Sequence, residues 1–119
     1  MSADTRNPVL VIGLGRFGCA VAHTLERMGH EVLGVDLDPA MVQDNAAHLT
    51  QVVEADATDG DVLEKLGARS FSSAVVGIGT DIEASVLAVL ALSDLTVPNI
   101  WAKATNDKRT HVYTLIIRP

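Results

Sequence analysis

The sequence predicts a Rossmann-like, doubly wound α/β domain with a parallel sheet in central order 3-2-1-4-5 and helices on both faces. Three observations carry that expectation. Short Val-, Ile- and Leu-rich runs alternate with helical segments along the chain, joined by short links. The first run, Val9-Leu10-Val11-Ile12, breaks into Gly13-Leu14-Gly15-Arg16-Phe17-Gly18, and Asp36 closes the next run eighteen residues after the last of those glycines. The composition is 48% apolar but only 3% aromatic, so the core is built from Val, Leu, Ile and Ala. Such a core suits strands buried on both faces.

In chain order, strands are expected at 9–13, 31–36, 51–55, 73–78 and 99–103, and helices at 16–29, 39–47, 59–67 and 81–95. Gly29 stops the first helix in the manner of a C-terminal glycine. Asp38-Pro39 starts the second, with a capping carboxylate and proline at the first helical position. Asp59 or Thr58 caps the third, which ends at Gly67. Thr80 or Asp81 caps the fourth, and Thr96-Val97-Pro98 terminates it. The stretch from Lys108 to Pro119 has room for a short helical turn and a sixth strand around Leu115–Ile117, but not for a crossover helix plus strand, which needs about a dozen residues or more. One sheet edge or face is therefore expected to lie uncovered, favouring association with another copy.

At 119 residues the chain is expected to be one domain, 1–119, with 1–7 as a tail. Its net charge of −6 argues against nucleic acid or an anionic membrane surface as partner. No apolar stretch approaches the roughly 20 residues that cross a bilayer. The N-terminus lacks the apolar core of a signal peptide, and the single cysteine, Cys19, cannot form an internal disulfide. Together these features predict a cytoplasmic protein without direct membrane insertion.

The chemistry concentrates at predicted strand ends. Gly13 permits a tight turn, Gly15 lets the backbone approach a pyrophosphate, and Gly18 lets the helix pack closely on the sheet. The free N–H groups that open the helix then face phosphates. Arg16 opposes the helix dipole unless an anion sits nearby, when its guanidinium grips phosphate oxygens. Phe17 belongs to the same loop and is expected to pack locally. Asp36 is placed to accept both ribose hydroxyls, and Leu37-Asp38-Pro39 offers no cation for a 2′-phosphate, which disfavours NADP. Asp56-Ala57-Thr58 ends the third strand where an adenine would lie. There the acid can accept the exocyclic amine, while Ala57 leaves room for the ring. Gly77-Ile78-Gly79 brings small residues to the crevice after the fourth strand, and Lys103, ending the fifth, is within reach of phosphate or of an acid on another subunit. Each of these residues also has a plain structural reading: a glycine turn, a solvated arginine or lysine, a strand-end acid, a capping turn.

His23, His30, His48 and His111 are scattered without metal-ligand spacing, and Cys19 reads as a small core residue. No catalytic residue, metal site or enzymatic activity is expected. The residues alone leave open an NAD(H)-binding redox sensor with some other target and the cofactor half of a small dehydrogenase.

Gly-Leu-Gly-Arg-Phe-Gly at 13–18, Met-Gly-His-Glu-Val-Leu-Gly-Val-Asp at 28–36, Ala-Asp-Ala-Thr at 55–58, Gly-Ile-Gly-Thr-Asp-Ile-Glu-Ala-Ser at 77–85 and Trp-Ala-Lys-Ala-Thr-Asn-Asp at 101–107 run in the order of a known family. Over residues 8–107 the chain resembles the N-terminal nucleotide-binding (KTN, or RCK-N) domain of TrkA- and KtrA-type potassium transport regulators. Its Arg16-Phe17 pair resembles the KtrA-like branch. The resemblance implies a cytoplasmic regulatory subunit that binds an adenine nucleotide, ATP/ADP or NAD(H), and controls an integral membrane potassium channel or transporter. It implies a homodimer, in some members part of a larger ring, lying peripheral to the membrane through its partner. Carried over by motif, Gly13, Gly15, Arg16 and Gly18 hold phosphates, with Arg16 able to reach the neighbouring subunit's nucleotide. Asp36 holds ribose, Asp56, Ala57 and Thr58 border adenine, and Gly77, Ile78, Gly79 and Lys103 line the rest. The stretch 108–119 departs from the family pattern, which continues through a crossover helix, a Gly-Ala-Asp turn and a smaller C-terminal domain absent from these 119 residues.

Overall fold

The computed structural model describes residues 7–78, 81–106 and 111–117, with side chains as far as Lys103. Six strands form one sheet: β1 (Val9–Ile12), β2 (Val32–Asp36), β3 (Gln51–Glu54), β4 (Ser73–Val76), β5 (Asn99–Asn106) and β6 (His111–Ile117), in order β3-β2-β1-β4-β5-β6. The first five pair in parallel, with Ile12 opposite Val35 on one side and Val76 on the other. The predicted core order is thus present. The sixth strand is longer than expected and runs antiparallel, Ile100 opposite Ile117. The physical reason is connection length, because an antiparallel partner needs only a short turn. The short helical turn expected in the stretch from Lys108 to Pro119 finds no place in 111–117, which is strand throughout, and 108–110 lie outside the described residues.

The helices are α1 (Arg16–Arg27), α2 (Pro39–Asn45), α3 (Gly60–Lys65) and α4 (Ile82–Asp94), with a short 3₁₀ turn at Ala68–Ser70 that the sequence pattern did not announce. Strand β1 is buried along its whole length and divides its side chains by parity. Val9 and Val11 join Leu14, Ala22, Leu25 and Met41 under α1 and α2, whereas Leu10 and Ile12 join Leu63, Ala88 and Leu92 under α3 and α4. Both faces of the central strands are therefore dry, which explains their unbroken apolar runs.

Capping agrees with the local sequence. Asp38 accepts from the Ala40 amide at 2.9 Å, Asp59 from Asp61 at 2.9 Å and Asp81 from Ala84 at 2.9 Å. Gly29 and Gly67 adopt φ of 95° and 83° just past α1 and α3. At the base of the sheet, Glu26 Oε2 on α1 accepts from the Thr50 amide and hydroxyl and from the Val32 amide, tying α1 to the starts of β2 and β3.

Thr96 is the one non-glycine residue with positive φ among the described residues, at 61° after α4. A β-branched side chain there is strained. Thr96→Gly is expected to raise stability by about 0.5–1 kcal/mol, the left-handed penalty outweighing glycine's greater chain entropy. A urea-unfolding midpoint below the wild type's would contradict this.

Candidate functional site

A cleft of about 360 Å³ opens along the carboxyl ends of β1, β2, β3 and β4, where sheet order reverses between β1 and β4. Ligands of doubly wound sheets bind at such a reversal, because the loops on either side part there. Its walls include Gly13, Gly15, Asp36, Leu37, Asp56, Ala57, Thr58, Gly77 and Ile78, so most of the predicted site residues meet at one place. Gly79 lies outside the described residues.

The three loop glycines have different reasons to be glycine. Gly13 has φ +91°, and a Cβ on it would collide with the Gly77 carbonyl. A Cβ on Gly18 would overlap the Gly13 carbonyl oxygen. Both are needed for α1 to start against the sheet. Gly15 differs: its φ is −73°, and a Cβ there would meet no atom within 4 Å. Neither backbone strain nor internal packing demands glycine at this position, and the space above it belongs to the cleft.

Gly15 is also the N-cap of α1 and provides no side-chain cap, unlike the aspartates that open α2, α3 and α4. The first turn of α1 contains no acid and begins with Arg16. The end of the cleft beside Gly15 thus presents uncapped amides and the positive end of a helix dipole.

The opposite end is acidic and prearranged. Asp36 Oδ2 accepts from the Leu14 amide at 2.6 Å, and Oδ1 accepts from the Asp38 amide at 2.8 Å, so the carboxylate is aimed by the two loops it joins. Asp56 Oδ1 accepts from the Thr58 hydroxyl at 2.6 Å and amide at 3.0 Å. Those bonds, the hydroxyl first, hold the Asp56 carboxyl below its ordinary pKa. A lowered folded-state pKa means the turn's contribution is present above the ordinary aspartate range and is lost as pH falls through the lowered value. Both of these bonds fall on Oδ1, and Asp56 borders the cleft.

Other predicted residues are placed differently. Gly18 is buried beneath the loop, and Arg16 is exposed and does not line the cleft. Phe17 lies behind the loop: its ring stands where a Gly77 Cβ would be, at 2.8 Å, and Lys103 Nζ sits 4.3 Å above the ring centre. Phe17 and Lys103 line a separate apolar hollow with Val21, Val75, Trp101 and Ala102. They therefore do not line the cleft, and Lys103 does not end β5, which runs on to Asn106. Trp101 is 43% exposed there, the uncovered sheet face that the sequence suggested.

The cleft also contains Asp38, Met41, Asp81 and Ala84, none of them proposed from sequence as ligand-facing. Asp38 and Asp81 read as helix caps, which they are. In this fold, however, helices begin at the carboxyl edge of the strands, so their caps also border the crevice.

A model of the TrkA-N domain matches residues 9–117. Ktr system potassium uptake protein A of Bacillus subtilis (strain 168) is 49% identical over 96 residues, covering 81% of this chain and 43% of that protein. The chain thus spans under half the length of this curated relative. Among solved structures, the NAD(P)-binding domain of an exopolyphosphatase-related protein from Archaeoglobus fulgidus superposes with a TM-score of 0.74 at 23% identity, covering 87% of this chain and 77% of that one. The GsuK channel bound to NAD gives 0.72 at 21% identity, covering 90% of this chain and 19% of the channel. Both structural likenesses show the fold. With the glycine loop, the acid that ends β2 and the sheet order all in place, the match across 9–117 establishes that this chain belongs to the TrkA-N domain family.

Proposed function

We propose that this domain senses an adenine nucleotide, ATP/ADP or NAD(H), and regulates potassium uptake through a separate integral membrane channel or transporter subunit. The observation that carries the reading is Gly15, which the fold does not need as glycine and which leaves open space against uncapped helix amides. A pyrophosphate fills that description. Asp36 takes the ribose diol, and its negative neighbour Asp38 repels a 2′-phosphate, so NADP is a poor ligand. Asp56, Ala57 and Thr58 border adenine, Gly77 and Ile78 line the remaining wall, and no covalent step is involved. The potassium-uptake relative and the NAD-bound channel support this assignment. The protein acts in the cytoplasm; no helix among the described residues is long and apolar enough to span a membrane.

The regulatory step requires two states that ligands distinguish, since a ligand of equal affinity for both shifts nothing. A homodimer supplies them. Ile82, Val86 and Leu90 are 56%, 51% and 56% exposed and recur at helical spacing along α4, an apolar ridge suited to a second copy. Arg16, exposed beside the loop, reaches across that dimer to the partner's terminal phosphate. Calorimetry with ATP, ADP, AMP and NADH tests this. ATP and ADP are expected to differ by about 1–3 kcal/mol of coupling, and Arg16→Ala to collapse the difference. Equal affinities for all four ligands, untouched by the substitution, would defeat the sensing role.

A further inference from the structure

Asn45, the last residue of α2, is 3% exposed and forms the centre of a polar bridge between α2 and α1. Its Nδ2 donates to the Met41 carbonyl at 2.8 Å, which fixes the amide's orientation and turns Oδ1 toward α1. There Oδ1 accepts from the Cys19 thiol at 3.2 Å and faces His23 Nε2 at 2.9 Å. An amide oxygen only accepts, so His23 carries its proton on Nε2. Cys19 and His23 are four residues apart and share one face of α1. The His48 ring, 5.3 Å from that of His23, closes the group.

The bridge joins α1, whose N-cap Gly15 borders the cleft, to α2, whose Met41 lines it. Cys19 lies one turn into α1, its amide donating to the Gly15 carbonyl at 2.8 Å in the first bond of the helix. Asn45 lies one turn after Met41, whose residue lines the cleft beside Asp38 and Asp36. A helix of seven residues is too short to hold its position by its own hydrogen bonds, so α2 is seated by the packing of Met41 against the sheet and by this bridge to α1. We propose that Asn45 is a positioning residue for nucleotide binding: through Cys19 and His23 it sets the α2 wall that receives the adenosine half of the ligand. The inference rests on the cleft being a nucleotide site. It assigns no role to Asn45 in holding phosphates, which face the start of α1.

Two variants test it. Asn45→Leu removes the bridge and strands two donors. Cys19→Ala/His23→Leu/Asn45→Leu removes the donors as well, leaving an apolar contact of similar volume. Calorimetry with ADP, NADH and inorganic tripolyphosphate is read beside the thermal midpoint of each free protein. The triple variant is expected to recover most of the midpoint lost by Asn45→Leu, yet to bind ADP and NADH about tenfold more weakly than wild type, because the wall is no longer set before binding. Tripolyphosphate affinity is expected to stay unchanged in both variants. Wild-type affinity for ADP and NADH in the triple variant would overturn the positioning role, as would an equal loss for tripolyphosphate. A wild-type protein that binds none of the three would instead overturn the nucleotide reading itself, and this inference with it.

Discussion

Gly15→Asp is expected to leave the domain folded, with a midpoint at or above wild type, while weakening ATP, ADP and NADH by about a hundredfold or more. The two effects share one cause. Gly15 is the N-cap of α1, with φ −73° and nothing within 4 Å of a notional Cβ, so an aspartate side chain has both room and an acceptable backbone. Its carboxylate caps the free amides of the first turn and complements the helix dipole, each effect worth some tenths of a kcal/mol up to about 1. Those amides are the ones assigned to the phosphates, and the new charge repels what remains of the anion. Thermal unfolding and calorimetry on the same preparation check both halves. Undiminished affinity in a stably folded variant would remove the phosphate assignment.

Gly18→Ala is expected to do the reverse, lowering stability by about 3 kcal/mol or more, a large share of what a domain of this size possesses. The obstacle is the Gly13 carbonyl oxygen, which a Cβ on Gly18 would overlap. Backbone cannot rotate aside as a flexible side chain does, so α1 must lift from β1. Lifting it disturbs the packing of Ala22 and Leu25 against Val9 and Val11 and moves Glu26 from its bonds to Val32 and Thr50. Urea denaturation measures the loss, and a midpoint equal to wild type would show that the loop yields where the packing indicates it does not. The two substitutions lie three residues apart in one motif and separate its ligand-facing glycine from its packing glycine.

Much of the architecture was legible because each element announces itself locally. Asp38-Pro39 and Asp59 start helices, Gly29 and Gly67 end them, and the apolar runs between are too continuous for strands with a wet face. The glycine loop and Asp36 were legible as a pair because their spacing matches one strand–helix–strand unit, which brings Asp36 Oδ2 to the Leu14 amide. The antiparallel sense of β6 was not announced, since no residue type specifies direction; the lack of chain for a crossover decides it. Cys19 reads as a small core residue, and no local motif singles out Asn45. Their bond spans 26 positions, and no local pattern reports it.

From its residues alone, this protein's sequence determined the succession of strands and helices, the turn that exposes amides, and the acid that ends β2, since these depend on backbone preference and hydrophobic period over short spans. Only the tertiary structure decided that Gly15 faces open space while Gly18 faces a carbonyl, that Phe17 and Lys103 meet behind the loop, and that Asn45 joins α2 to α1. Those outcomes depend on which distant surfaces come into contact, and that is set by the packing of layers rather than by any neighbour in the chain.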